Sequence, residues 1–183
     1  MTNFEITLLE VDSFCNKEGL NYAVIGGMAL IAHGVNRTTE DVDITLQLNL
    51  EDITIVGEKI LKYFEPIHQN PLLFFQNNFV LPVLHPLTKI GIDFAAGLSG
   101  FDFKVIERKV RLKFHSIELP FASIEDIIIY KLFASRGKDI LDLSEIAKQN
   151  KNKIDTRYLK QALKEFAELE REDMKNNFDK IFG

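Results

Sequence analysis

The chain has 183 residues, 46% hydrophobic and 27% charged, enough for one medium domain, or a domain with a helical appendage, around a sizeable core. A net charge of -5 argues against a broad nucleic-acid footprint, and a lone cysteine, Cys15, excludes an internal disulfide and fits a reducing cytoplasm. The first residues lack a signal-peptide pattern and no stretch reaches the roughly 18 apolar residues of a membrane span, so a soluble, cytoplasmic protein with no membrane partner is expected.

Apolar residues Phe4, Ile6, Leu8, Leu9, Val11 and Phe14 recur as on one helix face across 4–18, and Gly19 stops that helix. Tyr22–Ile25 predicts a short buried strand running into Gly26-Gly27, followed by a short helix at Met28–His33 that Gly34 closes. Val35–Glu40 is a polar loop and Asp41–Leu48 a strand. Asn49 caps a helix through Tyr63, and Pro66, Asn70 and Pro71 mark a loop. Leu72–Phe75 and Phe79–Leu84, separated by Gln76-Asn77-Asn78, predict a hairpin whose second run Pro82 confines to an edge or bulge. Lys89–Ala95 gives a further strand, Phe101–Arg108 a helix, and Val110–Leu119 contains a strand. Ser123 caps a helix from Ile124 that breaks at Gly137; another helix starts near Lys138, and Asp155–Phe182 forms one or two amphipathic helices. The expected fold class is α/β (α+β): a mixed twisted sheet with packed helices over residues 1–122, and a helical region, 123–183, packed on it. Fifteen phenylalanines read as core filling.

Three carboxylates carry the chemistry. Asp41 and Asp43 alternate with Val42 and Ile44, so both point to one face of their strand. Alone, that pair stands equally for a solvent-facing strand or for a metal seat. Asp93 tips the balance, because it sits within an apolar strand (Ile90, Ile92, Phe94), where an acid needs a partner or a cation. Three acids on neighbouring strands suit a two-metal site for in-line phosphoryl transfer, with Asp93 placed to help deprotonate an acceptor hydroxyl. The glycine pair lets backbone N–H groups approach an anion at a helix start, though by itself it is also a plain strand–helix corner. Arg37 lies in the loop before the aspartates, equally able to grip phosphate or to pair with Glu40. His33 ends a helix, and His68, His85 and His115 lack zinc-ligand spacing. The basic run Lys104, Arg108, Lys109, Arg111 and Lys113 reads as a solvated face rather than a dock for a phosphate-rich acceptor.

The pattern of an apolar run, Gly26-Gly27, thirteen residues, Asp41-x-Asp43 and later Asp93 resembles the polymerase beta-type nucleotidyltransferase superfamily. The wording GGMALIAHGVNRTTEDVDI is most similar to the minimal prokaryotic branch that includes AbiE-type toxins. A second block, Lys131-Leu-Phe-Ala134-Ser-Arg136-Gly-Lys138-Asp139-Ile-Leu-Asp142, is similar to the Lys-x-x-Ala…Lys-Asp-x-x-Asp block of these proteins. The resemblance implies that Gly26 and Gly27 hold the β- and γ-phosphates of an NTP. It further implies that Asp41 and Asp43 ligate Mg2+ with Asp93 completing the site, and that Lys131 contacts the triphosphate. Arg37, Arg136, Asp139 and Asp142 join the nucleotide-binding set; the last two either orient Lys131 or Arg136 or act as first-turn helix acids. The implied reaction moves a nucleoside monophosphate from an NTP to a hydroxyl, on tRNA or protein, and a cognate antitoxin is an implied partner. Two alternatives stay open: an aminoglycoside-type small-molecule transferase, and a non-catalytic nucleotide-binding regulatory module.

Overall fold

The computed structural model describes residues 1–150, 153–166 and 171–183. Helix α1 (Asn3–Glu18) starts at a capping box in which Thr2 accepts from the Glu5 N–H and Glu5 accepts from the Thr2 N–H, and it ends at Gly19 in the left-handed region. Strand β1 (Tyr22–Ile25) leads into α2 (Gly26–Ala32), and β2 (Asp41–Gln47) follows a loop. A 3-10 turn at Leu50–Asp52 runs into α3 (Ile53–Ile60), followed by the two-residue β3 (Glu65–Pro66) and α4 (Pro71–Asn78). Then come β4 (Val80–Leu84), β5 (Gly91–Gly97), α5 (Gly100–Glu107), β6 (Val110–Phe114) and β7 (Ile117–Phe121). Helices α6 (Ile124–Ala134), α7 (Gly137–Asn150), α8 (Thr156–Glu165) and α9 (Glu172–Phe182) complete the described chain.

The strands form one mixed sheet in the order β3-β4-β5-β2-β1-β7-β6. Its centre pairs β2 with β5 in parallel and with β1 antiparallel. Alternation fixes the faces: Val42, Ile44, Leu46, Ile92 and Phe94 are buried on one side, where Phe94 meets Phe14 of α1 and Phe64 edge-on or tilted. Burying one such side chain contributes roughly 1.5–3 kcal/mol, so the register that buries these five residues also commits Asp41, Asp43 and Asp93 to the opposite face. α6 packs on α2 as well as on α7, α8 and α9, which brings the helical region to the glycine-pair end of the sheet.

Four local expectations need correction. Leu72–Phe75 is not a strand: Pro71 opens α4, and Leu72 and Phe75 lie against Gly57 of α3, where a Cβ would come within 2.8 Å and 3.1 Å of them. The hairpin forms instead between β4 and β5. β3 covers only Val83 and Leu84, so Pro82 keeps the edge position its missing N–H requires. The helix expected from Asn49 through Tyr63 is a 3-10 turn joined to a helix ending at Ile60. Val110–Leu119 holds two strands, because His115 adopts a positive φ of 51° and Ser116 donates twice to Glu5 of α1, at 3.1 and 2.7 Å. Finally, α2 starts at Gly26, so the glycine pair forms the helix's first turn instead of preceding it.

Candidate active site

Parallel pairing of β2 with β5 sets Asp43 directly opposite Asp93, with Asp41 two residues back on the same face. One carboxylate oxygen from each lies within 4.8 Å of the others. Burial raises the Asp43 pKa, and the Asp41 and Asp93 charges raise it further against the lowering effects of the Gly27 N–H and Lys131. Burial and the Asp41 charge likewise raise Asp93. Like charges at 4.8 Å repel by about 3.5 kcal/mol at an effective dielectric of about 20, and about 0.9 kcal/mol in bulk water. A hard divalent cation relieves that repulsion, and a donor set made only of carboxylate oxygens suits Mg2+. The residues fit such an ion, and among the described residues no other cluster of three or more such side chains does.

The glycine pair makes room for this chain's own side chains. Gly26 has φ +61°, and a Cβ there would sit 1.9 Å from Asp43 Oδ2. At Gly27 a Cβ would meet Thr39 Oγ1 at 2.5 Å and Arg37 Cζ at 3.2 Å. Asp43 and the loop before β2 therefore lie against the first turn of α2.

Beside the carboxylates, a web of charges joins that loop to α6 and α7. Buried Lys131 donates to Asp142 Oδ2 at 2.5 Å and to Asp139 Oδ1 at 3.4 Å. Arg37 Nη1 reaches the same Asp142 oxygen at 2.7 Å, so Asp142, rather than Glu40, is its partner. Arg136 donates to Asp139 Oδ2 from Nε at 2.7 Å and from its backbone N–H at 3.2 Å. Burial pushes the Asp139 carboxyl up, but hydrogen bonds and charge from Arg136 and Lys131 outweigh it and hold the pKa low. The hydrogen bond to Asp139 raises Arg136, and Asp43 adds to that rise. The two sequence blocks thus share one electrostatic field. Both aspartates of α7 accept from basic side chains: Asp139 from Lys131 and Arg136, Asp142 from Lys131 and Arg37.

A sequence model of the nucleotidyl transferase AbiEii toxins, a type IV toxin–antitoxin family, matches residues 11–181. The chain belongs to the AbiEii nucleotidyl transferase family. No curated protein matches it by sequence. Among solved structures it is similar to an antigenic nucleotidyltransferase-like protein from Paracoccidioides brasiliensis, at 17% identity and a TM-score of 0.51 over 97% of this chain and 91% of that one. The antibiotic-resistance factor ANT(2'')-Ia aligns at 11% identity and 0.51 over 97% and 90%. A candidate nucleotidyltransferase from Thermotoga maritima aligns at 12% and 0.50 over 80% and 94%. At these identities the likeness is one of fold, and the fold is that of the nucleotidyltransferases.

In this AbiEii-family chain the basic run is mostly internally paired. Lys104 bonds Glu165, Arg108 bonds buried Asp126 and stacks on Tyr158, Lys109 bonds Asn21, and Arg111 bonds Glu118. His33 ends α2 with Nε2 2.8 Å from the Ala122 carbonyl oxygen, and burial lowers its pKa. Two contributors escaped the sequence reading. Asn36 donates its N–H to Gln149 Oε1 at 3.0 Å, which no local pattern signals. Thr39 donates to Asp41 Oδ1 at 2.9 Å; a hydroxyl two residues before an acid was the available clue. No helix among the described residues is long and apolar enough to cross a membrane.

Proposed function

We propose that the chain transfers a nucleoside monophosphate from an NTP to an acceptor hydroxyl, releasing pyrophosphate, with Mg2+ held by Asp41, Asp43 and Asp93. The observation that carries this reading is the meeting of three carboxylate oxygens within 4.8 Å at the start of α2, in a family of nucleotidyl transferases. A divalent cation bound there supplies neutralising charge for the triphosphate and polarises the phosphorus under attack. Asp93, opposite Asp43 on the neighbouring strand, accepts the proton of the acceptor hydroxyl. By the family resemblance we assign Gly26 and Gly27 to the β- and γ-phosphates, the Gly27 N–H being shared with the Asp43 carboxylate. Lys131 and Arg37 contribute positive charge to the triphosphate while Asp142 holds both in place, and Arg136 is held by Asp139. We assign catalysis to a domain of residues 1–122, with the helical region 123–183 contributing Lys131, Arg136, Asp139 and Asp142. Because the family is one of toxin–antitoxin systems, we assign a cognate antitoxin as partner, a tRNA or a protein as acceptor, and the cytoplasm as its place.

Incubation with each α-labelled NTP, Mg2+, total RNA, cell protein and aminoglycosides tests the reading. Label is expected in RNA or protein and is lost with Asp43→Ala. Label confined to aminoglycosides indicates the small-molecule transferase, and NTP binding without transfer indicates a regulatory module. A wild-type chain that binds no NTP in the presence of metal refutes the proposal.

A further inference from the structure

We propose that Thr39 is a positioning residue of the acidic centre: its hydroxyl fixes the rotation of the Asp41 carboxylate and so the place of the oxygen left for a divalent cation. The proposal rests on the metal-binding reading above. Asp41 is exposed, so packing does not hold its side chain. Among the described residues the hydrogen bond from Thr39 Oγ1 to Asp41 Oδ1, at 2.9 Å, is the one bond its carboxylate receives. The Asp41 carbonyl oxygen, at 3.4 Å, is the poorer acceptor for the same O–H. A carboxylate that accepts a hydrogen bond on one oxygen can present the other at a fixed angle, which is how outer-shell groups orient metal ligands.

Thr39 is itself seated. Its Oγ1 occupies space that a Cβ on Gly27 would enter at 2.5 Å, so the second glycine of the pair is required for the hydroxyl to reach this position. The loop is fastened to α7 by Asn36 on Gln149 and by Arg37 on Asp142. Through Thr39, the position of α7 is transmitted to the first aspartate of the centre, which lies about a hundred residues earlier in the chain.

The test is Mn2+ titration of the full chain without nucleotide, followed by electron paramagnetic resonance, for wild type, Thr39→Val, Thr39→Ala and Thr39→Ser. Loss of the hydroxyl in Thr39→Val or Thr39→Ala is expected to weaken Mn2+ binding about 10–100-fold. Thr39→Ser, which keeps it, is expected to stay within about threefold of wild type, with circular dichroism unchanged in all. The Mg2+ concentration for half-maximal transfer should rise in Thr39→Val by a similar factor, while the rate at saturating Mg2+ is largely kept. Wild-type affinity in Thr39→Val overturns the proposal, as does equal weakening in Thr39→Ser, since the hydroxyl would then not be the determinant. Failure of the wild type itself to bind Mn2+ refutes the metal-binding reading, a result distinct from either of these.

Discussion

Replacing Asp43 by Asn should make the metal-free protein more stable, although the substitution destroys a proposed ligand. Asp43 faces Asp41 and Asp93 with carboxylate oxygens within 4.8 Å, and each pair repels by about 0.9–3.5 kcal/mol across the range of dielectric between water and a protein surface. The amide removes both repulsions and the cost of burying the charge, and it loses the attraction of Lys131 and part of the bond from the Gly27 N–H. A net gain of roughly 1–3 kcal/mol remains, which for a chain of this size raises Tm by about 3–10 °C. Melts in EDTA at neutral pH measure it, and repeats with Mg2+ should stabilise the wild type while leaving Asp43→Asn unmoved. The pH dependence has a definite sign. With its folded pKa raised, Asp43 binds protons more readily in the native than in the unfolded state. Stability of the metal-free wild type therefore falls as pH rises from the ordinary aspartate value through the raised one. The gap between wild type and Asp43→Asn should accordingly close as pH falls through that window. A variant less stable than wild type in EDTA refutes the argument that the three acids are a strained, cation-seeking set.

Further consequences involve the neighbouring contacts. Gly26→Ala places a methyl 1.9 Å from Asp43 Oδ2 at a φ of +61° and should cut Mn2+ affinity at least about 100-fold, read by paramagnetic resonance. Asp142→Ala releases Arg37 and leaves buried Lys131 with Asp139 alone, so it should cost about 1–3 kcal/mol in urea unfolding and weaken NTP binding measured by calorimetry. Phe14→Ala should cost about 3–5 kcal/mol in the same unfolding assay without changing Mn2+ affinity, because Phe14 lies on the face of the sheet opposite the carboxylates.

The sequence made the carboxylates legible because strand periodicity is local. Alternation about Val42 and Ile44 put Asp41 and Asp43 on one face, and the apolar flanks of Asp93 marked it as anomalous. Local pattern could not show that β2 and β5 would pair in parallel with Asp43 against Asp93. Arg37 illustrates the same limit: Glu40 is its near neighbour in sequence, yet its partner Asp142 comes from a helix packed on by the tertiary fold. The run Leu72–Phe75 was misread because a short apolar segment has no period of its own; Pro71 and the bare surface of Gly57 decide for helix. His115 hid the β6–β7 turn, since positive φ is uncommon outside glycine and the turn carries no glycine.

The central claim, nucleotidyl transfer at the three aspartates, is tested most directly by comparing α- and γ-labelled NTP in one reaction with Mg2+, total RNA and cell protein. The account predicts that α-label enters an acceptor, γ-label leaves in pyrophosphate, and Asp93→Asn abolishes both. Entry of γ-label into the acceptor, or full transfer by Asp93→Asn, would contradict it.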